Sequence, residues 1–501
     1  MRRFIDVARF KRHKDLPKDF DAEAYLRINP DVALSIREGE GLSAEEHYLR
    51  HGRHEGRKYA ANADGSIIDP GLLALLPHDF DAASYLELHG DIEEAIAAGY
   101  CPSAEVHYLN VGRHEGRIYK LSADIVADMS SRLGRELFRY PYRTVGAMPA
   151  FRFEAPSRGE ADLAICSRII AAWHVSAAAN PGKTGGMWDQ LTAGHTRLKT
   201  ALARRDPELL SDLLANMFQE HLVHGLAMGR STAARARAVP DRHAAMWCDR
   251  LLRFGEAVGV RPVRSPEQGG TDAPLEWQDF EWQDFERQDF ERQGIVSELE
   301  AAIGFELAFP PIGAPFGVSL RGSAFPEQSF MHAYAAWRIN ALGPFERVAE
   351  IGGGFGGLCA YLARGTCAYT IYDLPYTNIL QGYFLLRCGL PVSLSGETPN
   401  RVQVLPWWEI NTPGLRFDVV LNQDSIPEMS PAAGRAYIDR IKQIAPSFYS
   451  VNQEASALNT QTGRQLRVPE LIRDAGGYRR LSRNLFWLRD GYVEEFYRCE
   501  G

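Results

Sequence analysis

Cysteine is scarce and scattered. The 501-residue chain has seven, at Cys101, Cys166, Cys248, Cys359, Cys367, Cys388 and Cys499, odd in number and with no CxxC pair. That pattern offers neither a disulfide framework nor a zinc-ligand spacing, and it reads as a reduced, cytoplasmic protein with no metal site. Long apolar runs are also missing: nowhere do about eighteen apolar residues stand in a row, and the start, Met1 to Phe10, carries basic residues without an apolar core. The expectation is a chain that is neither exported by a standard signal nor membrane-spanning. Positive charge is in deficit, with 56 Lys and Arg against 64 Asp and Glu, a net charge of -8. With no basic stripe to offset that balance, phosphate backbones would be repelled and a general nucleic-acid binder is excluded. What remains is ordinary globular composition, 45% hydrophobic and 24% charged, with room for two or three domains.

The first 122 residues contain a duplication. Pro17-Lys-Asp-Phe-Asp-Ala-Glu-Ala-Tyr-Leu26 returns as Pro77-His-Asp-Phe-Asp-Ala-Ala-Ser-Tyr-Leu86, and His47-Tyr-Leu-Arg-His-Gly-Arg-His-Glu-Gly-Arg57 returns as His107-Tyr-Leu-Asn-Val-Gly-Arg-His-Glu-Gly-Arg117, at a constant offset of 60. Such register marks a two-copy α-helical repeat, about 15–60 and 75–120, whose faces pack within and between copies. His47 and His51 have the i, i+4 spacing of helix-borne ligands, but the second copy has His107 and Val111, which favours a packing or docking role over a metal. A protein or glycan partner for the repeats is the corresponding expectation.

Residues 123–270 read as a mostly helical cap. Leu210, Leu213, Leu214, Met217 and Phe218 recur at helical spacing, while Trp188, His221 and His224 are candidates to line an acceptor pocket, with ordinary core and surface residues of a helical cap the favoured alternative. An insertion, 271–294, holds a repeat of period five, with Phe280, Phe285 and Phe290, that fits neither helix nor strand.

Chemistry concentrates in 295–501. Arg347-Val-Ala-Glu-Ile-Gly-Gly-Gly-Phe-Gly-Gly357 is an apolar strand that ends in an acid and opens into glycines, and Tyr369-Thr-Ile-Tyr-Asp373 is a second strand ending in another acid. Glycines let backbone approach a ligand, and an acid about twenty residues on can take both hydroxyls of a ribose. Gly352, Gly354 and Gly357 fit a dinucleotide pattern; Glu350, Gly352, Gly354 and Gly356 fit that of S-adenosylmethionine enzymes. A pyrophosphate needs no carboxylate before the glycines, whereas the ammonium and sulfonium of adenosylmethionine suit one, so S-adenosyl-L-methionine is the favoured cofactor and an NAD(P)-dependent oxidoreductase the alternative. The cofactor-binding set is Glu350, Gly352, Gly353, Gly354, Gly356, Asp373, Leu374, Asn422 and Gln423.

Downstream, strands at 392–394, 401–405, 417–421 and 447–451 alternate with helices from Pro375 to about Cys388 and from Pro431, capped by Ser430. An antiparallel pair, 484–488 with 493–497, closes the chain. The order predicts an α/β fold, a doubly wound Rossmann-like sheet whose closing hairpin marks the class I methyltransferases.

Glu350-Ile-Gly-Gly-Gly-Phe-Gly-Gly357, Asp373-Leu-Pro375 and Asn422-Gln-Asp-Ser-Ile-Pro-Glu-Met429, with Ser265-Pro-Glu-Gln-Gly269 and Tyr334-Ala-Ala-Trp-Arg338 upstream, resemble the sugar O-methyltransferase family of bacteria, over about 160–501. That resemblance implies methyl transfer from adenosylmethionine to a sugar hydroxyl in polysaccharide or nucleotide-sugar metabolism, and thus a sugar or glycan acceptor. A non-catalytic glycan-assembly scaffold is a further alternative.

A sugar hydroxyl is a weak nucleophile whose proton must leave as the new bond forms, which calls for a base at the carboxyl ends of the strands. Asp424, Glu428 and His332 are the candidates, with Glu454 outside them. Each has a plain alternative: a solvated acid for Asp424, a helix-capping box Ser425-x-x-Glu428 for Glu428, a packed ring for His332.

Overall fold

The computed structural model describes most of residues 16–29, 43–59 and 73–120, then 144–145, 149–182, 195–263 apart from four positions, 275–276, 294–454 and most of 458–500. Trp188, His224 and the period-five repeat beyond Glu276 lie outside the described residues, as does the side chain of His221.

Two compact units form. In the N-terminal one, helix Ala22–Ile28 is capped by Asp21, whose carboxylate accepts from Ala24 N, and Asp81 caps helix Ala82–Leu88 in the same way. The second helix of each copy, Ala44–His47 and Ala104–His107, runs on into a wider turn ending at Gly52 and Gly112. Tyr25 and His47 Nδ1 are hydrogen-bonded at 2.9 Å, and Tyr85 and His107 Nδ1 at 2.8 Å. Gly52 and Gly112 leave room for those phenols, since a Cβ at either would strike the hydroxyl. Phe20, Tyr25, Tyr48 and Tyr59 cluster in one copy, and Phe80, Tyr85, Tyr108 and Tyr119 in the other. His47 and His107 therefore serve these small aromatic cores.

In the second unit β1 (Phe151–Phe153) pairs with β2 (Phe316–Leu320) and through it β3 (Ser323–Phe325) in a small antiparallel sheet. Helices α1 (Asp162–Ala179), α2 (Pro207–Ala215) and α3 (Pro240–Ala257) lie between β1 and β2 in the chain. The expected apolar face of α2 is buried, with Leu210, Leu213 and Leu214 inside together with Met217 and Phe218 just beyond it. Asp162 ties α1 to the main domain through Tyr383 and Arg387, at 2.9 and 2.7 Å.

Then come α4 (Glu327–Leu342), β4 (Arg347–Ile351), α5 (Gly357–Leu362), β5 (Ala368–Asp373), α6 (Pro375–Arg387), β6 (Val392–Leu394), β7 (Val402–Pro406), β8 (Val419–Gln423), α7 (Pro431–Ile444), β9 (Ser447–Gln453), α8 (Val468–Ala475), β10 (Tyr478–Leu485) and β11 (Tyr492–Cys499). Strands β4 to β11 make one sheet in the order β10-β11-β9-β8-β4-β5-β7-β6. Only β11 runs against the others. This is a doubly wound α/β sheet with a closing hairpin. Alternate residues feed its two faces: Val348, Ile371 and Leu421 join the core shared with α4 to α6, while Ala349, Tyr372 and Val420 join that of α7 and α8.

Two boundaries depart from the sequence reading. Strand β8 starts at Val419 rather than Phe417, because Asp418 turns its carboxylate onto the N–H groups of Glu346 and Arg347 at 2.8 and 2.7 Å. The closing pair runs Tyr478–Leu485 with Tyr492–Cys499 rather than 484–488 with 493–497, leaving Phe486–Leu488 in the turn, and carries a bulge between Arg480 and Ser482. Among the described residues no helix is long and apolar enough to cross a membrane.

Candidate functional site

Strands β4, β5, β8 and β9 all end at one edge of the sheet, where a cavity of about 920 Å³ opens. Small-molecule sites span about 300–1,000 Å³, so this one has space for a cofactor and a second molecule. Glu350, Gly352, Gly353, Gly354, Asp373, Leu374, Gln423, Asp424, Glu428 and His332 all line it.

Gly352, Gly354 and Gly356 have φ of 74°, 56° and 95°, left-handed values that a side chain resists. Space tightens the requirement: a Cβ on Gly353 would lie 2.9 Å from Glu350 Oε2, and one on Gly352 would strike the Ser425 hydroxyl. Glu350 thus sits directly under the loop. It is 2% exposed and accepts from the Tyr369 hydroxyl at 2.9 Å. Burial, with the charge of Asp373 adding to it, pushes its carboxyl up to about 7. Asp373, at the end of β5, accepts from Leu374 N and Gln381 Nε2, both at 2.7 Å, and burial raises it to about 6 despite those donors. Neither carboxylate has an ion-pair partner among the described residues.

Gln381 is a residue the motif reading missed. Fully buried on α6, it donates to Gly354 O at 2.9 Å as well as to Asp373, locking the glycine loop to the second acid. Its spacing from Asp373 resembles any helix position, so nothing local marks it.

Asn422 and Gly356, both expected to contact cofactor, do not line the cavity. With β8 shifted by two residues, Asn422 falls inside the strand, 0% exposed. It donates to Ile351 O at 2.9 Å and accepts from Asn452 Nδ2 at 3.0 Å, while Ser425 Oγ also reaches Ile351 O at 3.1 Å. The role of this network is to hold β8 and β9 to the root of the glycine loop. Gly356 instead opens α5, where its bare Cα faces Leu385.

The same lining carries the candidate bases. Asp424, at a left-handed φ of 60°, accepts from Arg489 Nη1 and the Tyr492 hydroxyl, each at 2.7 Å. Both partners come from the closing hairpin, which local sequence could not connect with residue 424. Ser425 does not form the expected capping box: its hydroxyl is turned to Ile351 O instead, and Glu428 lines the cavity. His332 packs edge-on to Phe355, and its Nδ1 is buried with no hydrogen-bond partner among the described residues. Burial lowers its imidazole to about 4, so it is neutral near pH 7. Glu454 is held by Arg483 at 2.7 Å and is not part of the lining.

No family model and no curated relative matches the sequence. Solved structures that resemble parts of it include the N-terminal domain of EvdMO1 in the presence of SAH and D-fucose, with 14% identity, 34% of this chain and 82% of that chain covered, and a TM-score of 0.25. A second is the Burkholderia thailandensis 1,6-didemethyltoxoflavin-N1-methyltransferase with bound 1,6-didemethyltoxoflavin and S-adenosylhomocysteine, with 20% identity, 34% and 78% coverage and a TM-score of 0.26. A third is the [4+2]-cyclase SpnF, with 14% identity, 35% and 83% coverage and a TM-score of 0.28. Likeness at that level leaves function to be argued from the site itself.

Proposed function

We propose that the chain is an S-adenosylmethionine-dependent O-methyltransferase acting on a sugar hydroxyl. The observation that carries this reading is the pair of buried, ion-pair-free carboxylates, Glu350 beneath the glycine loop and Asp373 at the end of the next strand, at one end of a cavity with space for a second molecule. A pyrophosphate laid on that loop would meet Glu350 across a gap that Gly353 leaves open, an unfavourable approach for a dinucleotide. The same carboxylate suits a cationic ligand. Asp373 would hold the ribose hydroxyls, Gly352 to Gly354 would pass the methionine part, and Trp407, next to Pro406, which pairs with Asp373 in the sheet, offers the base an aromatic surface.

Bound there, adenosylmethionine supplies an electrophilic methyl group. The chain must then hold an acceptor oxygen in line and remove its proton. Asp424 is our proposed base: two donors fix its carboxylate on the cavity wall, opposite the glycine loop in role. His332 is buried against Phe355 with its ring lowered to about 4, and Glu428 stands on the same lining. Asp424→Asn should keep cofactor affinity and slow turnover by roughly 10² to 10⁴, with Glu428→Gln much less affected; the reverse ranking transfers the role to Glu428.

Calorimetric titration of the full chain with adenosylmethionine, adenosylhomocysteine and NAD tests the cofactor. Binding of the first two and not of NAD is expected. Tight NAD binding with no response to adenosylmethionine would overturn the reading.

A further inference from the structure

Two cations line the cavity among the described residues, Arg440 and Arg489, and no lysine does. Both are engaged within the chain. Arg440 donates Nε to Ile410 O at 2.9 Å, Nη2 to Thr412 O at 2.8 Å and Nη1 to Gln443 at 3.1 Å. Arg489 donates to Asp424 at 2.7 Å and lies over the Tyr492 ring, 4.1 Å from its centre. Glu327, on the lining, is paired with the buried Arg250 behind it. Five carboxylates also line the cavity, Glu327, Glu350, Asp373, Asp424 and Glu428; with Glu350 and Asp373 raised and placed at the cofactor, and Glu327 paired with Arg250, the remainder leaves no cation in excess.

The other polar lining groups are neutral: the amides of Gln328 and Gln423, those of Gln453 and Gln465, which are hydrogen-bonded to each other, and the hydroxyls of Thr232 and Tyr492, which respectively accept from Arg235 and donate to Asp424. Amides and hydroxyls both donate and accept, which matches a ligand with several hydroxyl groups. A phosphate or carboxylate would find no uncommitted cation among the described lining residues unless the Arg489–Asp424 pair, about a third exposed, opened, and it would meet the carboxylates of Asp424 and Glu428 instead.

We infer that the acceptor half of this cavity selects an uncharged, polyhydroxylated sugar and rejects phosphorylated, nucleotide-linked and uronic-acid forms, with Arg489 held by Asp424 as the specificity-determining pair. The term acceptor rests on the methyl-transfer reading above. Glycosidic attachment or dephosphorylation, reactions that leave a sugar uncharged, must therefore precede this step.

The test uses the full chain with saturating adenosylhomocysteine, whose own binding is measured first. Dissociation constants are then compared by ligand-observed NMR for matched probes: galactose and galacturonate, glucose and glucose 6-phosphate, N-acetylglucosamine and its UDP derivative. The neutral member of each pair is expected to bind at least about tenfold more tightly. Asp424→Asn, which leaves Arg489 without its anion, should close most of that gap, while Tyr492→Phe, which keeps the ion pair, should preserve it. Equal or tighter binding of the charged members, or no binding by either, overturns the inference. So does a gap unaltered in a folded Asp424→Asn protein; if that variant fails to fold, the wild-type comparison decides alone. Loss of adenosylhomocysteine binding would instead count against the methyl-transfer reading, and the sugar preference is then scored on the cofactor-free protein.

Discussion

At Glu350 and Asp373 the fold does something individually unfavourable: it buries two carboxylates side by side and raises both, to about 7 and about 6. Compared with the unfolded chain, the cofactor-free protein favours their protonated forms. Stability from these groups is therefore fully present below the ordinary carboxylate range and is lost as pH climbs through 6 to 7. Ligand binding runs the other way, because a cationic cofactor needs the anions. Adenosylmethionine affinity should rise between about pH 5.5 and 8 and level off above the raised values, and Glu350→Gln should bind more weakly with a flatter profile. Calorimetry across that range checks it, and an affinity independent of pH in the wild type would detach Glu350 from the cofactor. Gly352 gives a second test at this scale. Its φ of 74° and the Ser425 hydroxyl behind it leave no place for a methyl group, so Gly352→Ala should destabilise the chain by about 1–3 kcal/mol in urea melts and cut cofactor affinity.

Between elements, the site depends on connections that motifs do not reveal. The glycine loop and Asp373 could be read from sequence because a strand, a turn and an acid follow one another at fixed, local spacing. Ser430 as a cap and Pro431 as the first helical residue were legible for the same reason, and the cap is formed, Ala433 N donating to Ser430 Oγ. Gln381, Asn452, Arg489 and Tyr492 were not legible. They reach the site through helix docking, parallel pairing of β8 with β9, and the return of the closing hairpin, all of which are tertiary. Asn422 was placed on the wrong side of the strand for a simpler reason: a two-residue shift in β8 moved it from beyond the strand into its interior. Its network makes a prediction. Asn422→Ala would remove one of two hydrogen bonds from Asn452 Nδ2, which keeps Ser450, and one of two to Ile351 O, which keeps Ser425, at a cost of about 0.5–1.5 kcal/mol for each bond lost, and weaken cofactor binding only through the loosened loop. If stability is untouched while binding is abolished, Asn422 contacts the ligand after all.

On the scale of the whole molecule, the described lining of the cavity runs from Leu226 to Tyr492 and takes nothing from the repeats. Each repeat copy closes its own aromatic cluster, with its own tyrosine–histidine hydrogen bond and its own capping aspartate. Sequence exposed the duplication because both copies keep the residues those small cores require, and it could expose no partner because a partner's chemistry is written on a surface rather than in a period. Removing residues 1–122 should therefore leave adenosylmethionine affinity within about twofold of the full chain, since less than about 0.5 kcal/mol separates them on this account, and should leave the thermal transition of the remaining unit intact. Calorimetry and a melting curve on the shortened chain measure both. A shortened protein that still melts cooperatively but has lost tenfold or more in affinity would mean that the repeats complete the site, and the search for an acceptor would then have to use the full chain alone.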